Sequence, residues 1–313
     1  MRTRHGISAL AELPRGCVLS IGNFDGVHLG HQRLIAAMRS LAEQRHAAVV
    51  LVTFEPHPLT VLRPHLAPPR LSGAKLKTEL LLEAGVDQLL VLPPTEEVLG
   101  LTAERFWALI RDSLAPTHVV EGRSFNFGKD RGGTIERLRG WCGDAGIGLT
   151  VLEDVEAVLC DRTVVPVSST LVRWLVAHGR MRDVIRCTGR PYAIEGVVVA
   201  GFQRGRTIGV PTANLRIDDQ LVPGFGVYGG TCRVGGRRFP VALSVGILPT
   251  FGDQVLQIEA HLLGFDGDLY GQTLRVELHE WIRGQLKFPS LEALKRQLAR
   301  DLDDVRRTTP EAA

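Results

Sequence analysis

The sequence predicts two domains of different class: an α/β half on a mostly parallel sheet, then a small antiparallel β-barrel finished by a helix. Three observations predict it. At 313 residues the chain exceeds what one hydrophobic core ordinarily supports, so two domains are expected. From about residue 15 to residue 186, short β-branched or leucine-rich runs alternate with helical stretches, the pattern of βαβ units. After Gly189, strand-like runs follow one another across glycine-rich turns with no long helix between them, as in an antiparallel barrel. The change of texture near residues 185–189 divides the chain into domains 1–186 and 187–313.

In the first half the runs at 17–21, 48–54, 88–92, 118–121 and 149–152 read as strands. Between them Leu34, Met38 and Leu41 recur at helical spacing, and so do Leu76 and Leu80. The proline-rich stretch 64–69 reads as a loop. A mostly parallel sheet with helices on both faces holds ligands at the carboxyl ends of its strands. In the second half the strands are 193–200, 227–234, 237–245, 256–263 and 273–279. Ser290 is the expected N-cap of the closing helix, with Leu291, Leu294, Leu298 and Leu302 on one face.

Composition narrows the class. Hydrophobic residues are 44% and charged residues 23%, and no segment approaches the roughly 20 apolar residues of a membrane span. Residues 1–10 carry Arg2, Arg4 and His5 without the apolar stretch of a secretory signal. A cytoplasmic protein with no membrane partner is expected. The five cysteines are scattered and form no Cys-x-x-Cys pair, which argues against disulfides and zinc and for reduced, packed side chains. A net charge of +3, concentrated in no basic block, argues against nucleic acid as a partner.

The first chemical motif follows the first strand of that α/β half. Gly22-Asn23-Phe24-Asp25-Gly26-Val27-His28-Leu29-Gly30-His31 leads straight into a helix. Glycines let backbone approach a ligand, and a helix N-terminus presents unpaired N–H groups to phosphate. His28 and His31 lie three apart across Gly30, so both can face one triphosphate and donate hydrogen bonds to it. Alone, the fragment reads better as two capping or solvated histidines; its position after a first strand favours the functional reading. A second motif, Ser168-Ser169-Thr170-Leu171-Val172-Arg173, sets hydroxyls at a helix start with an arginine in its first turn; such groups cap N–H groups or bind phosphate. Two loops complete the first half. Glu55-Pro56-His57-Pro58 is stiffened by its prolines, and Phe125-Asn126-Phe127-Gly128 offers rings that suit either a planar ligand or core packing.

In the second half Gly201, Gly205 and Gly209 with Arg204 and Arg206 suit a loop over phosphates, or ordinary turns. Thr212 and Asn214 are two apart, so on an extended segment both face one way and offer neutral oxygens to a hard cation. From Leu256 to Leu262 alternation puts Leu256, Ile258, Ala260 and Leu262 on one face and Glu259 and His261 on the other.

The 28–31 and 168–173 segments together resemble the His-x-Gly-His and Ser-Ser-Thr-x-x-Arg signatures of the nucleotidyltransferase superfamily. With the 53–58 and 125–129 loops, the Gly-Arg…Pro-Thr-Ala-Asn segment, Glu259 and the following 265–271 run, the chain resembles bacterial bifunctional riboflavin kinase/FAD synthetases from about Leu19 to Asp301. The resemblance implies a Rossmann-like FMN adenylyltransferase domain at 1–186 and a flavokinase-like barrel at 187–313. It implies that ATP phosphorylates riboflavin to FMN and that a second ATP adenylylates FMN to FAD, releasing pyrophosphate. His28, His31 and Arg173 then stabilise charge, with Gly22, Asn23, Phe24, Gly30, Ser168, Ser169 and Thr170 holding ATP. In the kinase Glu259 is the general base, Gly205 and Arg206 bind ATP, and Thr212 and Asn214 bind Mg2+. Pro56, His57, Pro58, Ser124, Phe125 and Phe127 fall to the flavin in the first domain, and Arg283 in the second. Ser124, preceded by Arg123, stands where an acid or amide is expected, Ser244 where asparagine is common and Gly264 where aspartate is common. Two alternatives stay open: an adenylyltransferase for a modified flavin beside a kinase of reduced activity, and a non-catalytic flavin-binding regulator. Turnover of ATP excludes the second.

Overall fold

The computed structural model describes residues 2–201, 210–249 and 254–308. The chain packs into two compact units: the first comprises Met1–Pro68, Ala74–Glu156 and Pro166–Ser168, the second Pro69–Gly73, Ala157–Val165 and Ser169–Ala313.

The strands of the first unit are β1 (Arg2–His5), β2 (Val18–Ile21), β3 (Val49–Phe54), β4 (Gln88–Leu92) and β5 (His118–Gly122), then the two-residue hairpin strands β6 (Asn126–Phe127) and β7 (Gly133–Thr134), and β8 (Gly148–Leu152). Six of them form one sheet in the order β1-β4-β3-β2-β5-β8, with every pairing parallel. Both faces are covered. Leu19, Ile21, Val50, Val52 and Leu90 pack with Phe106, Trp107 and Ile110 of the helix Ala103–Leu114. Their neighbours Val18, Val49, Leu51 and Leu89 pack with Ile35 and Met38 of the helix Leu29–Arg45. Burial on both faces is why β3 reads as the unbroken apolar run Val49-Val50-Leu51-Val52.

Connections run from β2 outward through β3 to β4, then return to β5 on the other side of β2. The strand order therefore reverses between β2 and β5, and the crevice at their carboxyl ends is the expected ligand position. The ladder there stops early: β2 pairs β5 only at Val18↔His118 and Leu19↔Val119. Beyond it the Ile21 N–H donates to the buried Glu121 carboxylate at 2.8 Å instead of to a strand carbonyl. β1 is an edge strand beside β4 that the sequence reading did not expect. Arg-Thr-Arg-His has no apolar alternation, and an edge tolerates such charge. The 64–69 stretch is not all loop, since Pro64–Leu66 forms a 3-10 turn.

A small hairpin, β9 (Glu156–Val158) with β10 (Val164–Pro166), precedes the second unit's helices Ser169–Ala177 and Met181–Thr188. Then come β11 (Tyr192–Val199), β12 (Ala213–Arg216), β13 (Gly226–Val234), β14 (Arg237–Pro249), β15 (Gln254–Leu262) and β16 (Thr273–Arg283). They close a barrel in the order β11-β12-β15-β14-β13-β16, with antiparallel pairing throughout. Alternate residues Ile194, Val198, Val241, Leu243, Ile258, Ala260, Val276 and Leu278 are buried.

The helix Leu291–Thr308 follows. Its Ser290 cap is as expected, the hydroxyl accepting from Ala293 N–H at 3.2 Å. Its inward face is shifted from the expected leucine stripe: Leu291 is exposed, and Asp301 and Val305 are the buried positions.

Packing explains why the units divide away from the texture change at 185–189. The helix Met181–Thr188 is tied to β16 by the Arg182–Glu280 ion pair at 2.7 Å. The hairpin is tied to the same helix, with Cys160 N–H donating to Asp183 at 2.6 Å and Arg186 donating to the Val158 carbonyl at 2.9 Å. Four cysteines are buried as expected, but Cys160 is exposed.

Candidate active sites

In the first unit the loop after β2 is shaped by backbone that few residues tolerate. Phe24 and Val27 are held at φ 50° and 38°, a conformation that costs a side-chain-bearing residue about 1–3 kcal/mol. Burial of both side chains in the core under the helix Leu29–Arg45 offsets that cost. His28 is the residue preceding the helix, and its ring stacks on that of His31 at 3.7 Å between centroids. Gly30 makes the stack possible, because a methyl group there would press on the His28 ring at 3.0 Å. The two imidazoles thus form one surface at a helix N-terminus, where anions are favoured.

The loop after β3 is joined to this one. Asn23 Nδ2 lies 3.1 Å from His57 Nε2, and the Thr53 hydroxyl donates to the Asn23 carbonyl at 3.2 Å. Buried Lys77 pairs with Glu55 at 2.6 Å and donates to the Phe54 carbonyl at 3.2 Å. Residues assigned separately to ATP (Asn23) and to flavin (His57) are therefore one hydrogen-bonded set. Pro56, His57 and Pro58 are half-buried around it. Lys77 and Glu55 were not singled out by sequence, because a lysine in a mixed helix reads as solvated until its partners are known.

The Phe125 loop divides. Phe127 is a core side chain, 6% exposed, against Phe106 and Trp141, and Gly128 is required because a methyl group would meet Ala103 backbone at 2.6 Å. Phe125 is half-buried and stacks on Phe127 at 5.2 Å. Ser124 is exposed, with its carbonyl accepting from Asn126, and Arg123 pairs with Glu153 and Asp154. Ser168 ends the first unit, whereas Ser169, Thr170 and Arg173 belong to the second. There Arg173 Nε donates to the Pro69 carbonyl at 2.8 Å.

The barrel gathers the other set. Asn214 and Glu259 are directly paired across β12 and β15, and the Thr212 hydroxyl reaches Glu259 Oε1 at 3.5 Å. Gln257 donates to Asn214 Oδ1 at 3.2 Å and to Glu259 Oε1 at 2.8 Å. His261 Nδ1 lies 2.7 Å from the Pro211 carbonyl. Three successive outward side chains of β15 thus grip the 211–214 segment. Sequence alternation found two of them and passed over Gln257, which lies on the same face two residues before Glu259. Oxygen donors of this kind fit a hard cation such as magnesium.

A cavity of about 360 Å3 opens beside Thr212, lined among others by Val198, Leu262, Phe265, Asp268 and Tyr270. Ser244 faces Glu259 across β14 and accepts from Gln285 at 3.1 Å. Gly264 stands at φ 74°, a conformation that favours glycine. Arg283 forms a fork on buried Asp301, at 2.7 Å and 3.0 Å, fastening the closing helix to β16. Gly205 and Arg206 lie outside the described residues.

The FAD synthetase family model matches residues 10–170, and the riboflavin kinase (flavokinase) model matches residues 188–309. The bifunctional riboflavin kinase/FMN adenylyltransferase of Escherichia coli K12 is 36% identical, with 96% of each chain covered. That of Pseudomonas fluorescens is 37% identical at the same coverage. A crystal structure from Streptococcus pneumoniae described as a macrolide-efflux protein shares the fold at a TM-score of 0.87 and 28% identity, covering 99% of this chain and 100% of that one. Among the described residues no helix is long and apolar enough to cross a membrane. With both family models matched in order along its length, the chain belongs to the bifunctional riboflavin kinase/FMN adenylyltransferase family.

Proposed function

We propose that the chain makes both flavin cofactors, phosphorylating riboflavin to FMN with one ATP and adenylylating FMN to FAD with another. The observation that carries the reading is the meeting of Thr212, Asn214, Gln257 and Glu259 on one barrel face, beside a cavity of a size to take a nucleoside. In the kinase step Glu259 takes the proton of the ribityl 5′-hydroxyl as that oxygen bonds to the γ-phosphorus. The bond from γ-phosphorus to the bridging oxygen breaks, and ADP leaves. Thr212 and Asn214 would hold Mg2+, which when bound neutralises phosphate charge. Exposed Phe225 and Trp281 offer flat apolar surface for the isoalloxazine.

The adenylyl step needs no base, because the FMN phosphate is already anionic when it attacks the α-phosphorus and expels pyrophosphate. Its catalysis is alignment and charge stabilisation, the task of His28, His31 and Arg173. Asn23, His57 and the 55–58 loop order the substrates, with Phe125 the ring available to the flavin. A cytoplasmic location is part of the same reading.

The test is incubation with riboflavin, ATP and magnesium, with FMN and FAD separated over time. Glu259→Gln should lower FMN production by roughly 10² to 10⁴ while FAD forms normally from supplied FMN. His31→Asn should do the reverse. A non-catalytic flavin binder would turn over no ATP in either assay.

A further inference from the structure

We propose that Gln257 is a positioning residue of the kinase site, setting the base Glu259 and the metal-side oxygen of Asn214 in register with one amide. The inference rests on the reading of Glu259 and Asn214 given above. Gln257 Nε2 carries two hydrogens and lies 2.8 Å from Glu259 Oε1 and 3.2 Å from Asn214 Oδ1. With two oxygens in reach, the amide must present its nitrogen to them, and Asn214 must in turn present its oxygen. Gln257 sits two residues before Glu259 on β15, on the same outward face, while β12 opposes Asn214 directly to Glu259.

The consequence is specific. One N–H, together with the Thr212 hydroxyl, holds Glu259 Oε1 and so sets the rotation in which the carboxylate meets the substrate hydroxyl. The other occupies one lone pair of Asn214 Oδ1 and leaves the second for a cation. Removing the amide takes one hydrogen bond from each oxygen at once without removing either oxygen. Catalysis is sensitive to such displacement, because ångström-scale misplacement of a reacting group costs rate rather than binding.

Gln257→Met keeps length and bulk but has no donor. In the full-length protein it should lower kcat for riboflavin phosphorylation about tenfold, the effect expected of a lost hydrogen bond to a charged group. KM for riboflavin should stay near wild type, and the magnesium concentration for half-maximal rate should rise. FAD synthesis from supplied FMN should be unchanged. Should Gln257→Met fail to fold, Gln257→Asn carries the same test, because it withdraws the donor by one methylene. Glu259→Gln is measured alongside. If Glu259→Gln is inactive while the Gln257 variant keeps wild-type kcat and magnesium dependence, the positioning role is overturned and the base assignment stands. If Glu259→Gln remains active, the base assignment itself falls. A variant that melts lower with kcat unchanged would make Gln257 a packing residue and overturn the proposal.

Discussion

At Gly201 a methyl group would lie 2.0 Å from the Asn214 amide nitrogen, so this glycine leaves the space that the Asn214 side chain occupies. Gly201→Ala must push Asn214 off the line with Glu259 and Gln257. We expect it to lower riboflavin phosphorylation by about 10²-fold, the scale of an ångström-sized misplacement, with FAD synthesis from supplied FMN intact. Wild-type FMN production by this variant would remove Asn214 from the site. Single residues were legible in the sequence where a periodicity and a chemistry coincide. Thr212, Asn214 and Glu259 are such a case, two polar positions on an extended segment opposite one on a strand. Phe127 was not legible, because an aromatic before glycine looks the same whether it meets a ligand or, as here, fills the core against Phe106 and Trp141. Arg283 is similar: nothing local announces that its partner is Asp301, 18 residues on and buried on a helix. Gln257 and Lys77 are polar side chains whose meaning lies wholly in what faces them.

Among the elements, β5 concentrates two buried titratable groups of opposite sign at its two ends. His118, hydrogen-bonded to the Thr150 hydroxyl at 2.8 Å, is pushed below its ordinary 6.5 chiefly by burial and also by Arg45. Glu121 is pushed well above its ordinary 4.5 by burial, against the opposing pull of the Ile21 N–H and the Ser20 hydroxyl. The folded chain therefore holds the Glu121 proton after the unfolded chain has lost it, so this group makes stability fall as pH rises above 4.5. For His118 the unfolded chain binds the proton first, so this group makes stability fall as pH drops below 6.5. Glu121→Gln keeps an oxygen for the Ile21 N–H and abolishes the first dependence. Urea unfolding should show its advantage over wild type widening as pH rises above 4.5; a constant difference would mean that Glu121 is already ionised in the fold. The sequence showed β5 as a strand through its apolar pair Val119 and Val120, but not that its carboxylate replaces a ladder partner where β2 and β5 part. Edge strand β1 escaped notice for the complementary reason, since its pairing to β4 is by backbone and its side chains carry no apolar signal.

For the molecule as a whole, the periodicity of the sequence switches near the start of the barrel, but periodicity does not report which helices pack on which core. The hairpin Ala157–Val165 and the helices from Ser169 to Thr188 belong with the barrel by packing. The Arg180 guanidinium joins Asp161 at 2.7 Å and Asp183 at 2.6 Å, and Arg182 joins Glu280 on β16. The short segment Pro69–Gly73 is held there too, with Arg70 on Asp219 at 2.8 Å and Gln220 donating to the Leu71 carbonyl at 3.0 Å. A kinase fragment cut at the texture change, beginning at Ile185, would sever the helix Met181–Thr188 and discard the hairpin. One beginning at Ala157 would keep both. Both fragments lack the 69–73 segment equally, so a comparison between them isolates the hairpin and helices. Both should convert riboflavin to FMN, since Thr212, Asn214, Gln257 and Glu259 are present in each. The longer one should melt higher, by roughly 4 °C for each kcal/mol that these contacts supply at this size. Differential scanning calorimetry of the two fragments, with FMN formation measured on each, checks the point. Equal melting temperatures would mean that the hairpin and helices rest on the barrel without stabilising it, and a longer fragment unable to phosphorylate riboflavin would mean that the kinase requires the 69–73 segment or the first unit.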